Sequence, residues 1–260
     1  MKHASQLRLP GCTLEDMEAE AIRFIRDYEP AEGYYVGFSG GKDSIVTLDL
    51  VRRSGVRHEA WHSLTSIDPP EVVGFVRREY PDVKIARPQR SVYELIIVNA
   101  PPKRLARWCC DKLKKEPTMR IPLYHRIMGI RAEESIRRAA RGRISQFKVG
   151  TQMQTTYKPI FAWQEWAIWE YIEKYKLHYP SLYDEGYHRI GCVVCPFFLQ
   201  DRPGSIWERT ESQRRWPGIW RAYKDACRKW HAEKNRTGHR DFEVWWDAYV
   251  TGKPMKEMDG

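Results

Sequence analysis

Apolar and polar positions alternate along the chain in a way that predicts a strand–helix series followed by a mainly helical part. Thr13-Leu14-Glu15-Asp16 has the form of a capping box, and Met17, Ala21, Phe24 and Ile25 continue from Leu14 at helical spacing. Gly33-Tyr34-Tyr35-Val36-Gly37-Phe38 is a short apolar run bounded by glycine, which predicts a buried strand. Asp43 to Arg53 then carries Ile45, Val46, Leu48 and Leu50 and reaches Gly55, a residue suited to a helix stop. His58 to Ser63 and Val83 to Ala86 are further strand candidates, with a helix opened by Pro69-Pro70-Glu71 between them. This alternation predicts an α/β fold: a mainly parallel sheet of about five strands with helices on both faces.

The pattern changes near Trp163. Nine of the eleven tryptophans lie from there onward, in segments that read as helical. Trp166, Trp169 and Ile172, with Tyr175 close behind, form an aromatic stripe at helical spacing, which is the pattern of a packed core. A boundary is therefore expected near Lys158, between a domain of residues 1–158 and a Trp-rich helical extension of residues 159–260. No repeat or low-complexity tract interrupts this division.

Charge adds an anionic partner to the picture. Between Lys103 and Lys148 there are fourteen Lys or Arg against four Asp or Glu, so this segment alone carries the net charge of +10. Such an excess suits nucleotide phosphates or a nucleic-acid backbone, tRNA or DNA; a solvated basic face is the plainer reading. There is no apolar run of spanning length and no signal-like core at the N-terminus, so a cytoplasmic protein without membrane contact is expected. In a reducing compartment the six cysteines point to metal ligation or catalysis rather than disulfides.

The sharpest chemical signal follows the first strand. Ser39-Gly40-Gly41-Lys42-Asp43-Ser44 is a glycine-rich turn leading into a helix, where free backbone N–H groups and the helix dipole attract an anion. Gly40 and Gly41 allow close approach, Lys42 adds a point charge, and Ser39 and Ser44 supply hydroxyls. The Walker A spacing fails: only three residues separate Gly37 from Gly41-Lys42, and Asp43 follows the lysine. A carboxylate at that point is tolerable if it holds a magnesium ion or orients a donor.

Ser-Gly-Gly-Lys-Asp-Ser after an apolar strand resembles the PP-loop of ATP pyrophosphatases and sulfonucleotide reductases. The resemblance implies a domain of the adenine nucleotide alpha hydrolase type, which binds ATP or a sulfonucleotide (PAPS or APS) and commonly cleaves between the α and β phosphates. Three segments resemble the branch related to phosphoadenosine phosphosulfate (PAPS) reductase: Ser66-Ile67-Asp68-Pro69-Pro70-Glu71, Gly129 to Arg138, and a C-terminal block made of Lys158 to Trp169, Leu182-Tyr183-Asp184 and Gly191-Cys192. In that branch the second block faces the nucleotide. Asp68, Gly129 and Arg131 are thereby expected at the nucleotide, and Arg131 and Arg137 suit phosphate oxygens as guanidinium forks.

Cys109-Cys110 and Cys192-Val193-Val194-Cys195 form the second constellation. Four thiolates suit a 4Fe–4S cluster or a structural zinc, and adjacent cysteines suit zinc less well; two metal-free thiol pairs are the third reading. The arrangement resembles the cluster site of iron–sulfur APS reductases, and Lys112, Lys114 and Lys115 nearby would stabilise thiolates. Cys12 and Cys227 stand apart and read as ordinary buried cysteines.

One family feature has no counterpart. The reductases carry a nucleophilic cysteine in a Glu-Cys-Gly context near the C-terminus, whereas Cys227 sits in Asp-Ala-Cys-Arg-Lys. The expected function is therefore ATP-dependent sulfur transfer to a nucleic acid, releasing AMP and pyrophosphate and drawing on a sulfur donor or reductant protein. Sulfonucleotide reduction is the alternative, and a non-catalytic nucleotide-binding or redox-sensing module is the third. Lys42, Asp43, Arg131 and Arg137 are the expected catalytic group.

Overall fold

The computed structural model describes residues 13–149, 152–199, 205–234 and 241–253; Cys12 lies outside them. In chain order the elements are α1 (Leu14–Asp27), β1 (Tyr34–Gly37), α2 (Lys42–Ser54), β2 (His58–Ser63), α3 (Pro70–Glu79), β3 (Lys84–Ala86) and α4 (Val92–Asn99). A continuous helical stretch follows, α5 (Trp108–Cys110), a π-helical turn (Asp111–Lys115) and α6 (Glu116–Met119). Then come β4 (His125–Met128), α7 (Ile136–Ala139), β5 (Ile144–Val149), β6 (Gln152–Tyr157), α8 (Glu165–Lys174), α9 (Ser205–Arg215), α10 (Pro217–Lys234) and α11 (Phe242–Thr251).

The strands form one sheet in the order β3-β2-β1-β4-β6-β5. β1 is parallel to β2 and β4, β4 is parallel to β6, and β5 returns antiparallel on β6. The mainly parallel α/β sheet is as expected, with six strands rather than five. The polarity of β5 and β6 hid them: Gln154, Thr155 and Thr156 are buried in β6, so burial there does not follow side-chain polarity. Tyr34, Tyr35 and Val36 of central β1 are all buried, as a strand covered on both faces requires. The connection through α2 leads to one side of β1 and β4 lies on the other, so the carboxyl ends of β1 and β4 form a switch point.

Two compact units emerge, and they are not divided at residue 158. The first comprises residues 1–62, 71–86 and 119–190; the second comprises 63–70, 87–118 and 191–260. The expected boundary falls inside the first unit because both sides of it are bound to the sheet and its helices. Lys158 Nζ donates to the Gly142 carbonyl at 2.6 Å and to Ser145 Oγ at 3.0 Å, and α8 packs on α1 and α2. The buried face of α8 is Ala167, Ile168, Tyr171 and Ile172, while Trp166 and Trp169 are only half-buried. In the second unit α10 packs on α4, α9 and α11 around Trp220, Tyr223, Cys227 and Trp245.

Buried Glu18 ties three helices of the first unit together. It pairs with Arg53 of α2 and accepts from Tyr175 Oη at 2.8 Å and from Lys174 Nζ at 3.3 Å. Burial pushes its carboxyl up, but Arg53, Tyr175 and Lys174 outweigh this and hold it below the ordinary value of 4.5. Its stabilisation is therefore complete above that value and is lost as pH falls through the lower pKa of the folded state. Glu18→Ala, which leaves Arg53 without this partner, should destabilise the first unit by about 3 kcal/mol in urea unfolding at neutral pH. The difference from wild type should shrink in acid.

Candidate functional site

The turn after β1 is closed by its own serines. Ser44 Oγ donates to the Gly41 carbonyl at 2.8 Å and accepts from the Ser39 N–H at 3.2 Å, while the Gly41 N–H donates to Ser39 Oγ at 3.3 Å. Gly40 has a φ of +77°, and a Cβ there would also stand 2.9 Å from Val76 of α3, so only glycine fits without strain. Gly129, just after β4, would bring a Cβ to 2.7 Å from the Asp43 carbonyl oxygen. The switch point thus joins the two loops at backbone-to-backbone distance.

Lys42 opens α2 and is 4 % exposed. Its Nζ donates to the His188 carbonyl at 2.8 Å, stands 3.1 Å from Glu165 Oε1, and faces the rings of Tyr183 and Trp169 at 5.1 and 5.7 Å. Its backbone N–H donates to Tyr183 Oη at 3.0 Å. Burial pushes the Tyr183 hydroxyl up, so it stays protonated. Burial also pushes the Glu165 carboxyl up, but Lys42, with a smaller contribution from Arg131, holds it below its ordinary value and charged. Arg131, likewise 4 % exposed, pairs with Asp43 and Glu133 and donates its backbone N–H to Glu134 Oε2 at 3.1 Å. Of the two roles expected for Asp43, the geometry supplies a donor partner, Arg131.

The site therefore gathers Ser39, Gly40, Gly41, Lys42, Asp43, Ser44, Gly129 and Arg131 at the ends of β1 and β4. Arg137 instead stands exposed on α7. Sequence reasoning missed Glu165, His188 and the lysine-facing roles of Trp169 and Tyr183. Trp169, Tyr183 and Glu165 all lay within blocks already matched to the family, but nothing in those blocks named a partner for Lys42, and His188 lay outside them.

Asp68 belongs to the second unit, with the cysteines. It accepts from the Thr65 N–H at 2.5 Å and from Thr65 Oγ1 at 2.7 Å, and that hydroxyl is 3.4 Å from Cys192 Sγ. Cys109, Cys110, Cys192 and Cys195 are all free thiols. A hydrogen bond between Cys109 and Cys110 holds Cys110 down to about 6 and Cys109 well up; Cys192 and Cys195 push Cys109 further. Lys114 is held above its ordinary value, chiefly by Cys192 and also by Asp68, Cys110 and Cys195. Among the described residues no three His, Cys, Asp or Glu side chains stand as a formed metal site. The donor set nonetheless suits iron by its chemistry: Cys109 lies within electrostatic reach of the other three thiols, and Lys114 and Arg107 lie within reach of Cys110.

The basic segment is not one patch. Residues 103–118 belong to the second unit and 119–148 to the first. Arg126 is buried against the Tyr35 ring at 4.4 Å, Arg143 pairs with Glu20, and Lys112 and Lys115 pair with Glu116 and Asp111. Arg137, Arg141 and Lys148 are exposed in the first unit, and Lys103 and Arg107 in the second. Among the described residues no helix is long and apolar enough to cross a membrane.

Comparison with known proteins gives the family and the fold. The phosphoadenosine phosphosulfate reductase domain family matches residues 33–197, more than half of the chain. The chain is 31% identical over 238 residues to an uncharacterized protein of Methanocaldococcus jannaschii, covering 86% of this chain and 48% of that protein. It thus spans about half the length of that relative. It is 26% identical over 188 residues to the adenosine 5'-phosphosulfate reductase of Staphylococcus saprophyticus, covering 68% of this chain and 75% of that one. Among solved structures, the phosphate complex of PAPS reductase from Candida auris superposes with a TM-score of 0.51 at 17% identity, over 72% of this chain and 97% of the other. That last likeness is one of fold.

Gly129→Ala should displace the first turn of α2, because its Cβ meets the Asp43 backbone, and ATP affinity measured by calorimetry should fall about tenfold or more. Gly74→Ala is the control. A Cβ there meets nothing within 4 Å, so it should leave binding unchanged and stabilise α3 by about 0.4–1 kcal/mol.

Proposed function

The chain belongs to the phosphoadenosine phosphosulfate reductase domain family, and on that premise we propose that it uses ATP to activate a nucleic acid for attack by sulfur. The observation that carries this reading is the pairing of two buried cations, Lys42 and Arg131, with a glycine-rich turn at the switch point of the sheet. Lys42, the loop amides and the hydroxyls of Ser39 and Ser44 hold the phosphates of the magnesium nucleotide. Asp43 keeps Arg131 oriented toward them, and Arg131 stabilises charge as it moves onto pyrophosphate. An acceptor oxygen attacks the α-phosphorus, the α–β bond breaks and pyrophosphate leaves. Sulfur then displaces AMP from the adenylylated acceptor.

Cys109, Cys110, Cys192 and Cys195 are the residues we assign to a 4Fe–4S cluster, with Lys114 offsetting its negative charge. When bound, such a cluster supplies electron transfer or a site for sulfide. A nucleic-acid acceptor is supported by the exposed cations of the basic segment, including Arg137, whose place on α7 suits a long polyanion.

Sulfonucleotide reduction is the second reading, favoured by the reductase relative. Against it stands the environment of Cys227. The thiol is fully buried and burial pushes it well up, so it is a poor nucleophile.

With acceptor present, ATP should yield AMP and pyrophosphate on thin-layer analysis, and Lys42→Ala should slow this at least ~10²-fold. Products limited to ADP and phosphate would overturn the reading, and sulfite from APS or PAPS would establish the reductase instead. Protein purified without oxygen should be brown and bleach in air, with about four irons per chain. Cys109→Ala, Cys110→Ala, Cys192→Ala and Cys195→Ala should each lose most iron, while Cys227→Ala should not. Colourless anaerobic protein holding one zinc would replace the cluster with a structural site.

A further inference from the structure

The second unit contains a groove of about 280 Å³ that the phosphate loop does not use. Pro102, Pro196, Trp245 and Tyr249 give it an apolar lining. Lys103, Arg104 and Lys253 also line it, and no acidic residue does among those described.

The lining is fixed in advance. The rings of Trp245 and Tyr249 lie 5.1 Å apart and within 11° of parallel. The Tyr249 hydroxyl donates to the Pro102 carbonyl at 2.9 Å and stands 2.9 Å from the Tyr223 hydroxyl, so the ring cannot swing away. Lys103 and Ala106 exchange two backbone hydrogen bonds, at 3.2 and 3.0 Å, closing a turn that holds Lys103 and Arg104 at the rim. Arg104 and Arg107 lie over the Phe197 ring, at 5.2 and 4.5 Å from its centroid. Little ordering is left to oppose binding.

A slot with an aromatic lining and a cationic rim has the form of a site for unpaired nucleotides. Every base offers a π-face, and cations follow the backbone without reading sequence. The volume falls just short of the roughly 300–1,000 Å³ of small-ligand pockets, which suits one nucleotide of a strand rather than a folded partner. Pro196 directly follows Cys195, so the groove borders the thiol set within the same unit.

We propose that this groove binds a single-stranded segment of the nucleic-acid acceptor, with a base against the Tyr249 side and flanking phosphates on Lys103 and Arg104. The proposal rests on the reading of the acceptor as nucleic acid.

Its test is fluorescence anisotropy of labelled 12-nucleotide oligo(U) and oligo(dT) with the full chain across a salt series. Lys103→Ala with Arg104→Ala should weaken binding and make the plot of log affinity against log salt shallower by about 1.4, near 0.7 for each lost phosphate contact. Both residues sit at the rim, and an unchanged thermal melt confirms that the variant folds. Oligonucleotides carrying 4-thiouridine should crosslink to the peptide containing Trp245 and Tyr249 on irradiation. Arg77→Glu, at an exposed position of the first unit outside the basic segment, should leave that crosslink in place. If the wild type binds oligonucleotides but the rim variant matches it in affinity and salt slope, the groove assignment is wrong while the nucleic-acid reading stands. If the wild type binds none even at low salt, both fall. If polyglutamate displaces the oligonucleotide at equal charge concentration, the groove is a general anion site and the proposal is overturned.

Discussion

A buried ammonium at the first turn of a helix is the constraint on which the first unit depends. Lys42 brings a full charge to the positive end of α2, and Arg131 brings a second one nearby, both almost wholly removed from water. Charges placed so must be matched by groups of the protein itself. Lys42 is answered by Glu165 and the His188 carbonyl, Arg131 by Asp43 and Glu133. Those partners come from α8, from the stretch after it and from the turn after β4, so the demand of two cations fixes where three distant segments must lie. On the proposed reading the same match makes the site responsive: a polyphosphate there would compete with Glu165 and the His188 carbonyl for one ammonium, and each phosphate contact would have to exceed the one it replaces.

How much of this was legible in the sequence depends on how local each cause is. The turn from Ser39 to Ser44 was readable because strand, glycines and helix start lie within ten residues and act through their own backbone. The compensation of Lys42 was not, because Glu165 and Tyr183 lie more than a hundred residues away and carry no pattern of their own. β5 and β6 escaped for a different reason: β6 buries Gln154 and Thr156 on one face and Thr155 on the other, polar side chains that alternation of apolar residues cannot reveal. The boundary near Lys158 was misplaced because tryptophan content reports burial without saying which core receives it. Trp163 serves the sheet unit while Trp220 and Trp245 serve the other.

Asp68, expected at the nucleotide, belongs to the second unit, where its carboxylate accepts from Thr65, whose hydroxyl meets Cys192. It also joins the thiols in raising the pKa of Lys114. A carboxylate beside four sulfurs adds negative charge where the protein must also keep thiols, so Lys114 has to be retained as their counter-charge. Half-buried Lys114 serves those groups, while Lys112 and Lys115 pair along the helix surface.

The same distinction governs the net charge of +10. Composition counts cations without saying which are free to meet a partner, and several in the basic segment are already used: Arg126 on a ring, Arg131 and Arg143 on carboxylates, Lys114 on thiols. The exposed cations of the segment include Lys103 and Arg107, beside half-buried Arg104, in one unit and Arg137, Arg141 and Lys148 in the other. The two sets differ in setting. Arg137, Arg141 and Lys148 project from a short helix, the turn after it and an edge strand, where a polyanion would be held by charge alone and its affinity would follow ionic strength. Arg104 and Arg107 are backed by Phe197, and with Lys103 they lie on a fixed turn next to an aromatic slot. Charge combined with an apolar surface holds a strand in one register, because a base that stacks must bring its own phosphate to a defined place. The proposed delivery of sulfur to one atom of a polymer calls for that second kind of contact, and the proposed groove lies in the unit that carries the four thiols.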